Sequence, residues 1–198
     1  MKRILLALGM ISIAAISSAQ QKEASKPWQF RSINNLGLLE GETGSSFQLQ
    51  TINGAAYKSW FAGIGLGIDY YRYRTIPLFA DVRKEFGQAK NKPFVYSDMG
   101  ISFSWLTDNQ KMNYRTDDHF SNGFYGDWGV GYKMAMGKND ALMISLGYSY
   151  KKITETYPSY FAWYPPIDDI TRPQVNNPPK EQINYGLNRL TIKIGWQF

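Results

Sequence analysis

The sequence predicts an all-β chain, an antiparallel transmembrane β-barrel of about eight strands. A cleaved N-terminal signal peptide is expected at residues 1–19 and the barrel domain at residues 20–198. Three observations point there. Apolar and polar residues alternate strictly in one segment after another, the period of a strand whose two faces meet different surroundings. The connections between these segments are short and long in turn, as in a barrel with turns on one rim and loops on the other. Beyond the N-terminal segment no apolar run reaches the length of a membrane helix and no segment carries a helical period, so a membrane could be entered only with strands.

The chain opens "MKRILLALGMISIAAISSAQ". Lys2 and Arg3 precede an apolar run from Ile4 to Ile16, and Ser17, Ser18 and Ala19 supply the small residues of a cleavage site before Gln20. The run is too short to span a bilayer and reads as a secretory signal. The chain has no cysteine, which excludes a disulfide framework, a thiolate nucleophile and a lipidated N-terminal cysteine. Its net charge is +6, two charges of which would leave with Lys2 and Arg3. With no basic run in an exported chain, nucleic acid is excluded as a partner class.

The strands follow in order. Two weaker segments, Ser32–Glu40 and Ser46–Asn53, come first. "WFAGIGLGIDY" then sets Trp60, Ala62, Ile64, Leu66, Ile68 and Tyr70 against Phe61, Gly63, Gly65, Gly67 and Asp69. "IPLFADVRKEF" opposes Ile76, Leu78, Ala80 and Val82 to Phe79, Asp81, Arg83 and Glu85. In "VYSDMGISFSW" the apolar face holds Val95, Met99, Ile101, Phe103 and Trp105, and the other Tyr96, Asp98, Gly100, Ser102 and Ser104. "FYGDWGVGYKMAM" places Phe124, Trp128, Val130, Tyr132, Met134 and Met136 opposite Tyr125, Asp127, Gly129, Gly131 and Lys133. "ALMISLGYSY" and the terminal "LTIKIGWQF" complete the set, with Leu146 and Ile192 on apolar faces and Ser149 and Lys193 on polar ones. "NGAAYK", "GQAKNK" and "GKND" read as short turns; "TDNQKMNYRTDDHFSNG" and the segment from Thr154 to about Gln182 read as long loops.

The polar faces interleave charged residues with glycine, which suits a hydrated, charge-paired lumen. Trp60, Tyr70, Trp105, Tyr150 and Trp196 stand near strand ends on the apolar parity, as interfacial aromatics do. A barrel of about eight strands has an interior that side chains can fill. Inward Phe61, Phe79, Tyr96 and Tyr125 are therefore expected to plug it.

"LTIKIGWQF", alternating and ending on Phe198, resembles the C-terminal assembly signal of outer-membrane β-barrels. The whole mature chain resembles small outer-membrane barrel proteins of Gram-negative bacteria, and "FAGIGLGIDYYRYRTIPLFADVRKEFG" resembles barrel domains common in the Bacteroidota. The resemblance implies an outer-membrane location, contact with outer-membrane lipids and lipopolysaccharide, and recognition by the barrel assembly machinery through Phe198.

One stretch invites a chemical reading. "HFSNG" holds the only histidine, His119, and is similar to the His-x-Ser-Asn run of outer-membrane lipid A deacylases. That resemblance would make His119 the base, Ser121 the nucleophile and Asn122 an oxyanion donor. No glutamate follows until Glu155, however, and Asp127 sits on the lumen parity. An unbroken strand would place His119 and Ser121 on that same parity, away from lipid, so no catalytic residue is assigned and the stretch reads as a strand mouth. One histidine and no cysteine make no conventional zinc site, and Asp117-Asp118 and Asp168-Asp169 lack calcium-loop spacing. No metal or cofactor is expected.

The last loop, "TYPSYFAWYPPIDDITRPQVNNPPKEQ", concentrates proline and aromatic residues. Tyr160, Phe161, Trp163 and Tyr164 form the candidate binding site for an extracellular glycan or protein, because exposed aromatics stiffened by proline favour contact. The expected role is non-enzymatic, envelope-structural or surface-binding; the alternatives are a deacylase-like enzyme using His119 and Ser121, and a narrow passive pore.

Overall fold

The computed structural model describes residues 28–42, 44–70, 74–105, 119–137, 139–158 and 180–198. The expected signal peptide lies outside these residues. The strands are β1 (Trp28–Gly41), β2 (Gly44–Tyr57), β3 (Trp60–Tyr70), β4 (Arg74–Glu85), β5 (Lys92–Ser104), β6 (His119–Ser121), β7 (Gly123–Ala135), β8 (Ala141–Pro158) and β9 (Lys180–Gln197). They form one antiparallel sheet in the order β6-β8-β7-β5-β4-β3-β2-β1-β9, and a further β8–β9 pairing closes it into a ring. Short β6 pairs with β8 above the point where β7 leaves it, so β6 and β7 together make one wall of an eight-stranded barrel. Closure pairs each strand on both sides around the ring, which backbone in hydrocarbon requires; the outer ends of β8 and β9 extend beyond it.

Alternation sets the two faces as expected. Ile64 is 68% exposed, Val130 58% and Leu146 56%, whereas Asp69, Asp81, Asp98 and Asp127 are 0% exposed. The barrel is inside out relative to a water-soluble protein, with its apolar residues on the outer surface and its carboxylates at the centre.

Glycine on the inward parity makes room for the aromatics that fill the lumen. Phe79 stands opposite Gly65 on β3 and Gly100 on β5, and Phe94 and Tyr96 stand opposite Gly131 and Gly129 on β7. A Cβ at Gly65 would lie 2.3 Å from the Phe79 ring, and one at Gly131 would lie 2.3 Å from the Phe94 ring. Phe61, Phe79, Tyr96 and Tyr125 are all buried, and they share a cluster with Phe94 and Met143.

Two boundaries differ from the sequence reading. "NGAAYK" is not a turn: β2 continues through Tyr57, and the reversal is made by Lys58 and Ser59, with Lys58 at φ 54. Gly54 serves close packing instead, since a Cβ there would stand 2.2 Å from the Ala62 carbonyl oxygen. The long loop expected from Thr154 to about Gln182 is also shorter. Thr154 pairs with Asn184 and the ladder runs out to Pro158 opposite Lys180. This hairpin overhangs the rim opposite the short turns.

Candidate functional site

The lumen holds the densest chemistry among the described residues, in three layers. Toward the long-loop rim, Lys151 lies 2.5 Å from both carboxylate oxygens of Asp69 and from Thr75 Oγ1. Thr75 also donates to Asp69. In the ring β8 stands across from β3 and β4, so the contact crosses the interior.

In the middle layer, register aligns Asp81, Asp98 and Asp127 across β4, β5 and β7. Arg83 grips Asp81 with Nε at 3.0 and 2.9 Å. Lys193 reaches in from β9, 2.8 Å from Asp127 and 3.5 Å from Asp98. The Tyr96 hydroxyl donates to Asp127 at 2.8 Å, and the Tyr125 hydroxyl accepts from Gln50 at 2.8 Å. Lys193 and Tyr96 take their carboxylate partners on other strands, whereas Arg83 pairs with Asp81 two residues away on β4; buried charges require such pairing.

At the short-turn rim, Glu85 meets three cations. Lys133 Nζ is 2.8 Å from Oε1, Arg31 3.1 Å from the same oxygen, and Lys92 3.3 Å from Oε2. The outer wall near this rim carries Trp60 beneath the Lys84 ammonium, 4.5 Å from the ring centroid. At the opposite rim Arg74 stacks on Trp105 at 4.1 Å. Both pairs combine an apolar ring with a charge, the composition of a bilayer–water interface.

No family model matches the chain, and no curated protein sequence matches it. Solved structures do. The outer membrane protein OprG from Pseudomonas aeruginosa superposes with a TM-score of 0.53 at 9% identity, covering 85% of this chain and 94% of that one. The outer membrane protein AlkL, determined in DMPC lipid bilayers, gives 0.54 at 12% identity, covering 89% and 92%. The fold is that of a small outer-membrane β-barrel. At such identities the likeness is one of architecture, and nothing of either neighbour's role passes to this chain with it.

Within this outer-membrane barrel the fate of "HFSNG" is decided by register. Tyr125 opposes Lys151 while Ser121 opposes Thr154, so one extra residue is inserted on the β6–β7 side. This is a bulge at Asn122–Gly123. A Cβ at Gly123 would lie 1.6 Å from the Lys152 carbonyl oxygen, so only glycine allows the close approach. The bulge inverts the parity. Positions 119 and 121 stand opposite Thr156 and Thr154, on the outward parity, and not on that of Tyr125 and Asp127. The expectation drawn from an unbroken strand is therefore corrected.

Facing outward does not complete a triad. The Ser121 hydroxyl donates to the Thr154 carbonyl at 3.2 Å. Asp127 is fully buried in the lumen. Glu155 is buried on the inner face as well and accepts from the Tyr185 hydroxyl at 2.7 Å. Both acids lie on the other side of the wall from Ser121. Asn122 is exposed between β6 and β7.

The four candidate binding aromatics, Tyr160, Phe161, Trp163 and Tyr164, lie outside the described residues, as do Asp117, Asp118, Asp168 and Asp169. Among the described residues no cluster of three His, Asp or Glu could hold a metal. Alternation missed Lys151, Arg31 and Lys92. Lys151 was within reach, because it continues the inward parity of Ser149 by one further step.

Proposed function

We propose that this chain is a non-enzymatic outer-membrane barrel, an envelope-structural scaffold that binds at the cell surface through its long-loop rim. The observation that carries this reading is the interior: Lys151, Asp69, Asp98, Asp127 and Tyr125 are all 0% exposed, so the middle of the lumen is filled by paired side chains. Such a core favours a rigid pedestal over a passage. The short-turn rim, with Phe198 beside it, faces the periplasm. Lipid and lipopolysaccharide surround the wall, and the barrel assembly machinery reads Phe198. The resemblance to Bacteroidota barrels rests on the glycine-rich β3 and its hairpin partner β4.

The surface contact is assigned to Tyr160, Phe161, Trp163 and Tyr164, facing an extracellular glycan or protein. Replacing both Trp163 and Tyr164 by alanine should weaken cell-surface binding by ~1–3 kcal/mol while heat-modifiable folding persists. Unchanged binding would remove these residues from the site. Steady single-channel conductance of the purified protein in planar bilayers would replace the pedestal with a pore.

A second reading, a lipid-directed hydrolase, draws support from the bulge that turns positions 119 and 121 outward. Its test is loss of an acyl chain from lipopolysaccharide incubated with purified protein. The pedestal reading expects no such loss; the hydrolase reading expects loss that disappears in Ser121→Ala.

A further inference from the structure

The three layers of the lumen differ in charge balance. Lys151 faces Asp69 one to one, and the aspartate row is served by Arg83 and Lys193. At the short-turn mouth the count reverses: Arg31, Lys92 and Lys133 converge on the single carboxylate of Glu85.

The register makes this imbalance more pronounced. Lys92 and Lys133 are directly opposite each other across the β5–β7 ladder, a like-charge pairing that disfavours the sheet. Arg31 approaches from β1 on the far side of the ring. One carboxylate offsets one of three positive charges and leaves an excess of two. The aspartate row lies deeper in the lumen and is bound to its own cations.

The donors are only partly spent. An ammonium carries three N–H groups, and Lys133 and Lys92 each direct one toward Glu85. The Arg31 guanidinium reaches Glu85 through one nitrogen and Gln29 through another at 3.5 Å. Side-chain exposure is 20% for Arg31 and 24% for Lys92, against 8% for Lys133 and Glu85, so the cluster is open toward the mouth and closed below.

We propose that the short-turn mouth of the lumen binds a small phosphate-class oxyanion, held by Arg31, Lys92 and Lys133 beside Glu85. Two net positive charges, convergent N–H donors and a half-open position suit a compact multivalent anion. The site belongs to free anion and not to a lipid headgroup, because Glu85 and Lys133 face the interior while headgroups border the outer wall. Its assignment to the periplasmic side rests on the orientation proposed above; the binding itself does not.

The test uses the full chain folded in a maltoside detergent free of phosphate headgroups. Inorganic phosphate should raise the midpoint of thermal unfolding in a saturable way that chloride at matched ionic strength does not reproduce. Lys92→Gln and Arg31→Gln should each weaken phosphate affinity about tenfold, the loss of one charge-assisted bond. Lys84→Gln, on the outer wall, should leave it unchanged. Glu85→Gln should tighten phosphate binding, since it removes the competing carboxylate, whereas a cluster that merely rivets strands would lose stability without gaining affinity. If Glu85→Gln does not fold, the Lys92 and Arg31 variants still decide. The proposal is overturned if phosphate does no more than chloride, or if Lys92→Gln binds it as the parent does. It is equally overturned if phosphatidylglycerol micelles, and not free phosphate, give the Arg31-dependent shift.

Discussion

The two faces of each strand are specified in different ways. On the outer face Ile64, Val130 and Leu146 meet solvent lipid, and nothing in the fold demands one apolar shape over another. On the inner face the charged and aromatic side chains meet specific counterparts: Lys151 with Asp69, Lys193 with Asp127, Phe79 with Gly65. The outer face is specified by a property and the inner by a set of partners. Substitution tolerance should divide along that line.

The largest effect is expected where a partnership is both charged and dry. Lys151→Met leaves Asp69 buried beside Thr75 without its cation, which should cost ~3–5 kcal/mol in urea unfolding of the vesicle-inserted barrel. Adding Asp69→Asn should recover part of that loss, because the orphaned charge goes with it. No recovery would mean that the interior is set by volume and not by pairing. Next comes the outer face under the one change it forbids. Val130→Arg should cost ~2–4 kcal/mol if the position lies near the bilayer midplane, whereas Val130→Leu should be close to silent in the same assay. Equal cost for both would show that the outer wall packs against something specific. The smallest of the three concerns an inner partnership without charge. Gly65→Leu drives a side chain into the Phe79 ring and should cost ~1–3 kcal/mol, partly relieved by Phe79→Leu.

The faces were legible because a strand of period two announces which residues share surroundings. Register was not. Nothing local in "GIDYYRYR" says that Asp69 will meet a lysine on β8, since that contact depends on how far each strand slides past its neighbours around the ring. Turn signals misled at Asn53-Gly54, where glycine answers a close backbone approach from β3 rather than a reversal. The outer ends of β8 and β9 were missed for another reason. Thr154, Thr156 and Gln182 lie beyond the end of the β7–β8 ladder, where only short β6 flanks the hairpin, so hydrocarbon imposes no apolar alternation on them. The bulge at Asn122–Gly123 erased the parity argument at Ser121, although the glycine that permits it was visible in the sequence as a break in the pattern.

The overhanging hairpin has a consequence for reach. Lys151 is level with Asp69, almost at the end of β3, yet β8 continues to Pro158. At about 3.4 Å per residue and a tilt near 40°, those further residues rise by roughly 18 Å. Whatever the chain carries between Pro158 and Lys180 therefore starts from a mast, while β3 ends and β4 begins at deck height. On a cell coated with sugar, an epitope tag placed at the top of the mast should be seen by antibody on intact bacteria, and the same tag at deck height should be shaded by the coat.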